Sequence, residues 1–245
     1  MSDESGRGLE IPGRVSIVAG TNGLPKAILT HHSGAQAEAY LHGAHITSWK
    51  SPEGDPLFFL SRESWFEPGK PIRGGIPVIF PQFSMQGPLP HHGIARNREW
   101  IPVRSETSES GTVLLQLRLA ENAETLGIWP FRFQFDLRLL LDERALTVEV
   151  EVANPDDESF QFQLALHTYF AVADIGRTAV VGMSGTEYID SLRDRVREVE
   201  NREEIRFEAE TDRIYADTRN RLEVPHVHHR EVRPARCGSL ESVDR

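Results

Sequence analysis

Apolar and polar residues alternate with a period of two along most of this chain, and that period predicts strands rather than helices. Val113, Leu115, Leu117 and Leu119 fall on one face, with Gln116 and Arg118 on the other. The rhythm returns in Phe133, Phe135, Leu137, Leu139 and Leu141, opposite Gln134, Asp136 and Arg138. It returns again in Leu146, Val148, Val150 and Val152, opposite Thr147, Glu149 and Glu151. The polar stretch Asp142-Glu143-Arg144 joins the last two segments and predicts a hairpin. Helical periodicity is weak: Asn122–Leu126 predicts a single turn, and Asp190–Glu200 carries too much charge to bury a helical face. Many short strands between Gly- and Pro-containing turns predict an all-β antiparallel sandwich. One domain is expected over residues 9–224, after a polar, disordered N-terminus at 1–8. From Pro225 onward the alternation stops and Arg and His crowd together, which predicts an irregular or disordered tail over 225–245.

Composition narrows the partners. Of the 245 residues, 39% are hydrophobic and 26% charged, the balance of a globular chain able to bury a core. The formal charge of −10 argues against duplex nucleic acid, which is gathered by a basic field. A small phosphorylated ligand needs only two or three placed cations and remains compatible. The single cysteine, Cys237, allows no disulfide within the chain, and no apolar run reaches the length of a membrane span. The expectation is a cytoplasmic protein with neither membrane nor nucleic acid as partner.

Four segments hold the candidate chemistry. Lys70–Phe83 (KPIRGGIPVIFPQF) is stiffened by three prolines, and Arg73 sits directly before a Gly-Gly pair that leaves it little shielded from a ligand. It reads equally well as a rigid crossover with a solvated arginine. Pro90–Arg96 (PHHGIAR) places His91, His92 and Arg96 in one loop, where imidazoles suit sugar hydroxyls and a guanidinium suits phosphate. A surface loop with incidental histidines fits too, and no carboxylate or cysteine nearby completes a metal site. Phe160–Phe170 (FQFQLALHTYF) predicts a strand with Gln161, Gln163, Ala165, His167 and Tyr169 on one face. His167 is the group there that titrates near neutrality, and a buried structural histidine is its plainer reading. Asp212, in Thr211–Tyr215 (TDRIY), could accept sugar hydroxyls or simply end a turn. The tail histidines His226, His228 and His229 read as adventitious metal binders.

In this order, GAHITSWKS at Gly43–Ser51, KPIRGGIPVIFPQF, HHGIARNREW at His91–Trp100, WPFRF at Trp129–Phe133, HTYF at His167–Phe170 and TDRIY resemble the hexose-6-phosphate mutarotase (glucose-6-phosphate 1-epimerase) branch of the aldose 1-epimerase family. The resemblance extends over Leu9–Val224. It implies a galactose-mutarotase-like β-supersandwich and exchange of the α and β anomers of a sugar 6-phosphate by acid–base ring opening, without metal or organic cofactor. It implies that His167 is the acid serving the ring oxygen and that Arg73 and Arg96 meet the phosphate. It further implies that Asp212 holds sugar hydroxyls and that His92 bonds the sugar near its ring oxygen. At His91 many members carry glutamine. Family members continue past TDRIY to a strand bearing a glutamate general base, which this sequence does not show. The resemblance therefore implies a C-terminally incomplete fold. The alternative function is a non-catalytic sugar-phosphate binder or an inactive fragment. A monomer is expected.

Overall fold

A computed structural model describes residues 8–216, 221–224 and 230–232. These form two compact units, one ending at Tyr169 and the other beginning at Phe170. The described residues are nearly all β, with antiparallel sheets and one α-helix.

The first unit opens with β1 (Val15–Ala19), β2 (Pro25–Thr30), β3 (Gln36–Tyr40) and β4 (His45–Lys50), hydrogen-bonded in that order. Ala27, Leu29, Ala37, Ala39 and Ile46 of this sheet are completely buried. After the short β5 (Val78–Ile79) comes a meander of β6 (Ile101–Thr107), β7 (Val113–Ala120), β8 (Gln134–Leu141) and β9 (Leu146–Ala153). Its register sets Val113 against Leu141, Leu115 against Leu139, Leu117 against Leu137 and Leu119 against Phe135. The two predicted apolar faces are thus one buried surface, and burying each such side chain contributes about 1.5–3 kcal/mol. On β9 the predicted alternation holds, but its apolar face is only half-buried. The expected hairpin closes where the Asp142 amide donates to the Ala145 carbonyl, at 2.9 Å. The expected helical turn is α1 (Ala123–Ile128), begun by Asn122, whose side chain accepts from the Thr125 amide while the Thr125 hydroxyl accepts from the Asn122 amide.

The continuous strand expected over Phe160–Phe170 is corrected by the structure. Only β10 (Ala165–Leu166) pairs regularly, with β5. The segment is nonetheless extended: the amides of Gln163, His167 and Tyr169 donate to the carbonyls of Pro81, Pro77 and Gly75, at 2.8, 3.1 and 2.8 Å. Pro77 and Pro81 have no N–H to return, so the ladder lacks half of its bonds there.

The second unit is built of short strands. One sheet runs β14–β11–β16–β17 and the other β13–β12–β15. Their ranges are β11 (Ala179–Val181), β12 (Glu187–Asp190), β13 (Val196–Val199), β14 (Glu204–Arg206), β15 (Arg213–Tyr215), β16 (Leu222–Val224) and β17 (Arg230–Val232). The charged stretch Asp190–Glu200 lies mostly in the β12–β13 hairpin. β17 falls within the segment expected to be an irregular tail and pairs with β16. The rest of 225–245, with His226, His228, His229 and Cys237, lies outside the described residues, as does most of 1–8.

Candidate functional site

The site is rooted in the aromatic core. Phe80 is completely buried, with its ring 4.8–5.5 Å from those of Trp129, Phe133, Phe135 and Phe162. Its carbonyl accepts from the amides of Ile94 and Ala95, at 2.9 and 3.2 Å, tying the loop that bears His91, His92 and Arg96 to the core. Gly93 has φ +71, and a Cβ there would stand 2.3 Å from the Phe80 carbonyl oxygen, so only glycine permits this approach. The Trp100 indole donates to the Ala95 carbonyl at 3.0 Å, fixing the residue next to Arg96. Gln82 holds the outer part of the loop through the Leu89 amide and the carbonyls of Ser84 and Leu89.

Arg73 is presented by a second segment. The Ser64 hydroxyl accepts from the Arg73 amide and donates to its carbonyl, at 3.1 and 2.7 Å. Gly75 follows at φ +60, where a Cβ would come 2.1 Å from the Ile46 carbonyl oxygen. The exposed Arg73 guanidinium lies 5.7 Å from the ring centre of Trp65, over which Lys70 also extends at 4.3 Å. The third segment, Gln163–Tyr169, brings His167 and Tyr169 alongside through the ladder to Gly75, Pro77 and Pro81.

Together these segments form a cleft of about 490 Å³ lined by Phe59, Ile72, Arg73, His91, His92, Arg96 and Tyr169 among others. His167 stands at its edge: its ring is 6.1 Å from that of His92 and stacks on Tyr169 at 4.9 Å. His167 is exposed, so the buried structural reading does not hold. Four of the six predicted residues thus line one cleft, with His167 beside them. Asp212 belongs to the second unit; it precedes β15, is exposed, and its carbonyl accepts from the Ser191 amide at 2.9 Å.

The electrostatics favour an anion. Among the described residues no carboxylate lines the cleft, and neither Arg73 nor Arg96 has a carboxylate partner. The Arg96 guanidinium donates to the His91 carbonyl at 2.9 Å, while its buried Nε has no partner. Burial lowers the Arg96 pKa, an arginine that stays charged at any working pH. The His92 Nδ1 accepts from the Ser84 amide at 3.1 Å, which places the ring proton on Nε2. Burial, with Arg96, His91 and His167 nearby, pushes the His92 pKa down to about 4, so the ring is a neutral donor at neutral pH.

Several residues that hold this site were not singled out by sequence: His42, His45, Ser64, Gln82 and Trp100. Gln163 accepts from the Phe83 amide at 2.8 Å. The signal was present in His42 and His45, two imidazoles in the apolar stretch LHGAHI, where burial demands partners.

The aldose 1-epimerase family model matches residues 25–235. The chain belongs to the aldose 1-epimerase family. It is 40% identical over 208 residues to a protein of Cenchrus ciliaris provisionally named glucose-6-phosphate 1-epimerase, covering 81% of this chain and 63% of that one. It thus spans less than two thirds of that relative's length. An Escherichia coli K12 protein of the same provisional name is 34% identical over 219 residues, 84% of this chain and 72% of its own. The crystal structure of YeaD from Salmonella typhimurium, a provisionally assigned mutarotase, superposes with a TM-score of 0.79 at 27% identity, covering 89% of this chain and 72% of that one. The expected mutarotase-type antiparallel β fold is therefore borne out for this aldose 1-epimerase family member. No helix among its described residues is long and apolar enough to cross a membrane.

Proposed function

We propose that this chain exchanges the α and β anomers of a hexose 6-phosphate, with glucose 6-phosphate as the first candidate. The observation that carries the reading is the pairing of two arginines free of carboxylate partners with a histidine cluster on one cleft. Arg73 and Arg96 meet the phosphate and His91 and His92 bond the sugar, while the hydroxyl-holding role of Asp212, a residue of the second unit, rests on the family resemblance alone. His167 gives its proton to the ring oxygen as the anomeric hydroxyl passes its own to a water molecule of the open cleft. The C1–O5 bond breaks, C1–O1 becomes a carbonyl, and rotation about C1–C2 presents its other face. Reclosure returns both protons, so nothing is consumed and no cofactor enters. A monomer acting in the cytoplasm on this small sugar phosphate, with neither nucleic acid nor membrane as partner, belongs to the same reading.

A second reading rests on the lack of a carboxylate among the described residues that line the cleft, which leaves no carboxylate base there: the chain binds the sugar phosphate without turning it over. Magnetisation-transfer NMR on α- and β-glucose 6-phosphate separates the two. Exchange above the spontaneous rate, falling by about 10²–10⁴-fold in His167→Ala, supports catalysis. Saturable binding without exchange supports the binder, and the absence of both overturns the assignment.

A further inference from the structure

The two arginine-bearing segments share one anchor, the corner Leu41–His45 between β3 and β4. The buried His42 ring donates through Nε2 to the Lys70 carbonyl at 2.8 Å. The His45 ring, 1% exposed, donates through Nε2 to the Gly74 carbonyl at 2.7 Å. Lys70 and Gly74 bracket Arg73, so two imidazoles hold the segment from below while Ser64 holds it at Arg73 itself. The same corner seats the other segment. The Gly43 amide donates to the Arg98 carbonyl at 2.6 Å, and a Cβ on Gly43 would lie 2.5 Å from the Arg96 carbonyl oxygen. The Trp100 amide donates to the Leu41 carbonyl at 2.8 Å.

Filling space does not explain His45. Its Nδ1 is buried without a hydrogen-bond partner, so an apolar side chain of similar size would leave fewer polar atoms unsatisfied on its own side. What the imidazole supplies is a donor aimed at one backbone carbonyl. Burial holds its pKa down at about 4 against the raising effect of the Gly74 bond, so the ring stays neutral.

We propose that the β3–β4 corner sets the spacing of Arg73 and Arg96, with His42 and His45 as positioning residues that give the cleft its preference for phosphorylated over unphosphorylated sugar. The inference rests on the reading of the cleft as a hexose 6-phosphate site, and a merely structural role would not discriminate between the two sugars. The test is titration of the full chain with glucose 6-phosphate and, separately, with glucose, followed by NMR, for the wild type, His45→Leu, His45→Gln and His42→Leu.

The wild type binds glucose 6-phosphate more tightly. His45→Leu weakens glucose 6-phosphate by roughly tenfold, the loss of one well-placed charged contact. Glucose changes by no more than about twofold. His45→Gln, whose amide keeps a donor near the Nε2 position, restores most of the affinity. Should His45→Leu not fold, His42→Leu carries the same prediction, because its ring acts on the other end of the segment. Folded variants that keep the wild-type preference, or that lose both sugars equally, overturn the positioning role while leaving the site assignment standing. A wild type without preference for the phosphorylated sugar overturns the site reading, and the positioning role with it.

Discussion

Two clefts among the described residues are of nearly equal size, about 490 Å³ in the first unit and about 480 Å³ in the second, and they treat arginine oppositely. In the second unit arginines and carboxylates interleave: Arg193, Arg202, Arg206 and Arg213 line the cleft with Asp190, Glu204, Glu208 and Glu210. Beneath them Glu200, 2% exposed, accepts from Arg202 at 2.7 Å, Arg213 at 3.2 Å and the Tyr215 hydroxyl at 2.9 Å. Those bonds, Arg202 foremost, push the Glu200 pKa down to about 2. The charges are spent on one another. In the first unit Arg73 and Arg96 face a cleft with no carboxylate in its lining. An arginine paired within its own fold is neutralised by it, and one without such a partner keeps its charge open to an anion.

Breaking the contrast should cost most at Glu200. Glu200→Ala takes from the half-buried Arg213 the nearer of its two carboxylates, leaving Asp190 at 3.7 Å, and should lower stability by about 3 kcal/mol in denaturant unfolding of the whole chain. Arg96→Ala should do the reverse. Glucose 6-phosphate affinity falls by roughly 10- to 100-fold, as for loss of a charge-assisted bond, while calorimetry shows a smaller stability change than Glu200→Ala.

Acid sharpens the same contrast. His45 and His92 have folded pKa values of about 4 against an ordinary 6.5, so only the unfolded chain takes up their protons between those pH values. Their contribution is complete above pH 6.5 and is lost as pH falls to about 4. Glu200, at about 2 against 4.5, contributes above pH 4.5 and loses that contribution as pH falls toward 2. The melting temperature should therefore fall in two stages, and His45→Gln should flatten the upper one. The smallest effect is salt. Raising ionic strength from about 0.05 to 0.2 M should weaken glucose 6-phosphate binding a few-fold and leave glucose unchanged, because screening acts on the charged ligand alone.

The sequence was legible where one face of a strand is buried throughout. In β7 and β8 every second residue is apolar because every second residue meets the core, and the register follows from it. In the second unit β12 and β13 are short and heavily charged, and cross-strand bonds such as Tyr188 to Glu198, at 2.7 Å, replace apolar burial, so no period marks them. At the site, Arg73, His91, His92 and Arg96 stood out because glycine and proline isolate them in stiff loops. His42 and His45 did not, since their partners are backbone carbonyls 28 and 29 residues away. A carbonyl has no residue type, so two imidazoles in an apolar stretch signal burial but not the partners they find.

The proline-interrupted ladder has a dynamic consequence. His167 is bound to Pro77, and Tyr169 to Gly75, by bonds that only their own strand donates, and those acceptors lie two and four residues beyond Arg73. Opening this half-ladder would release His167 and loosen the backbone that carries Arg73 in a single local fluctuation. Amide hydrogen exchange at Gln163, His167 and Tyr169 is then a direct clock for how long the cleft stays assembled, and a bound sugar phosphate should slow all three together.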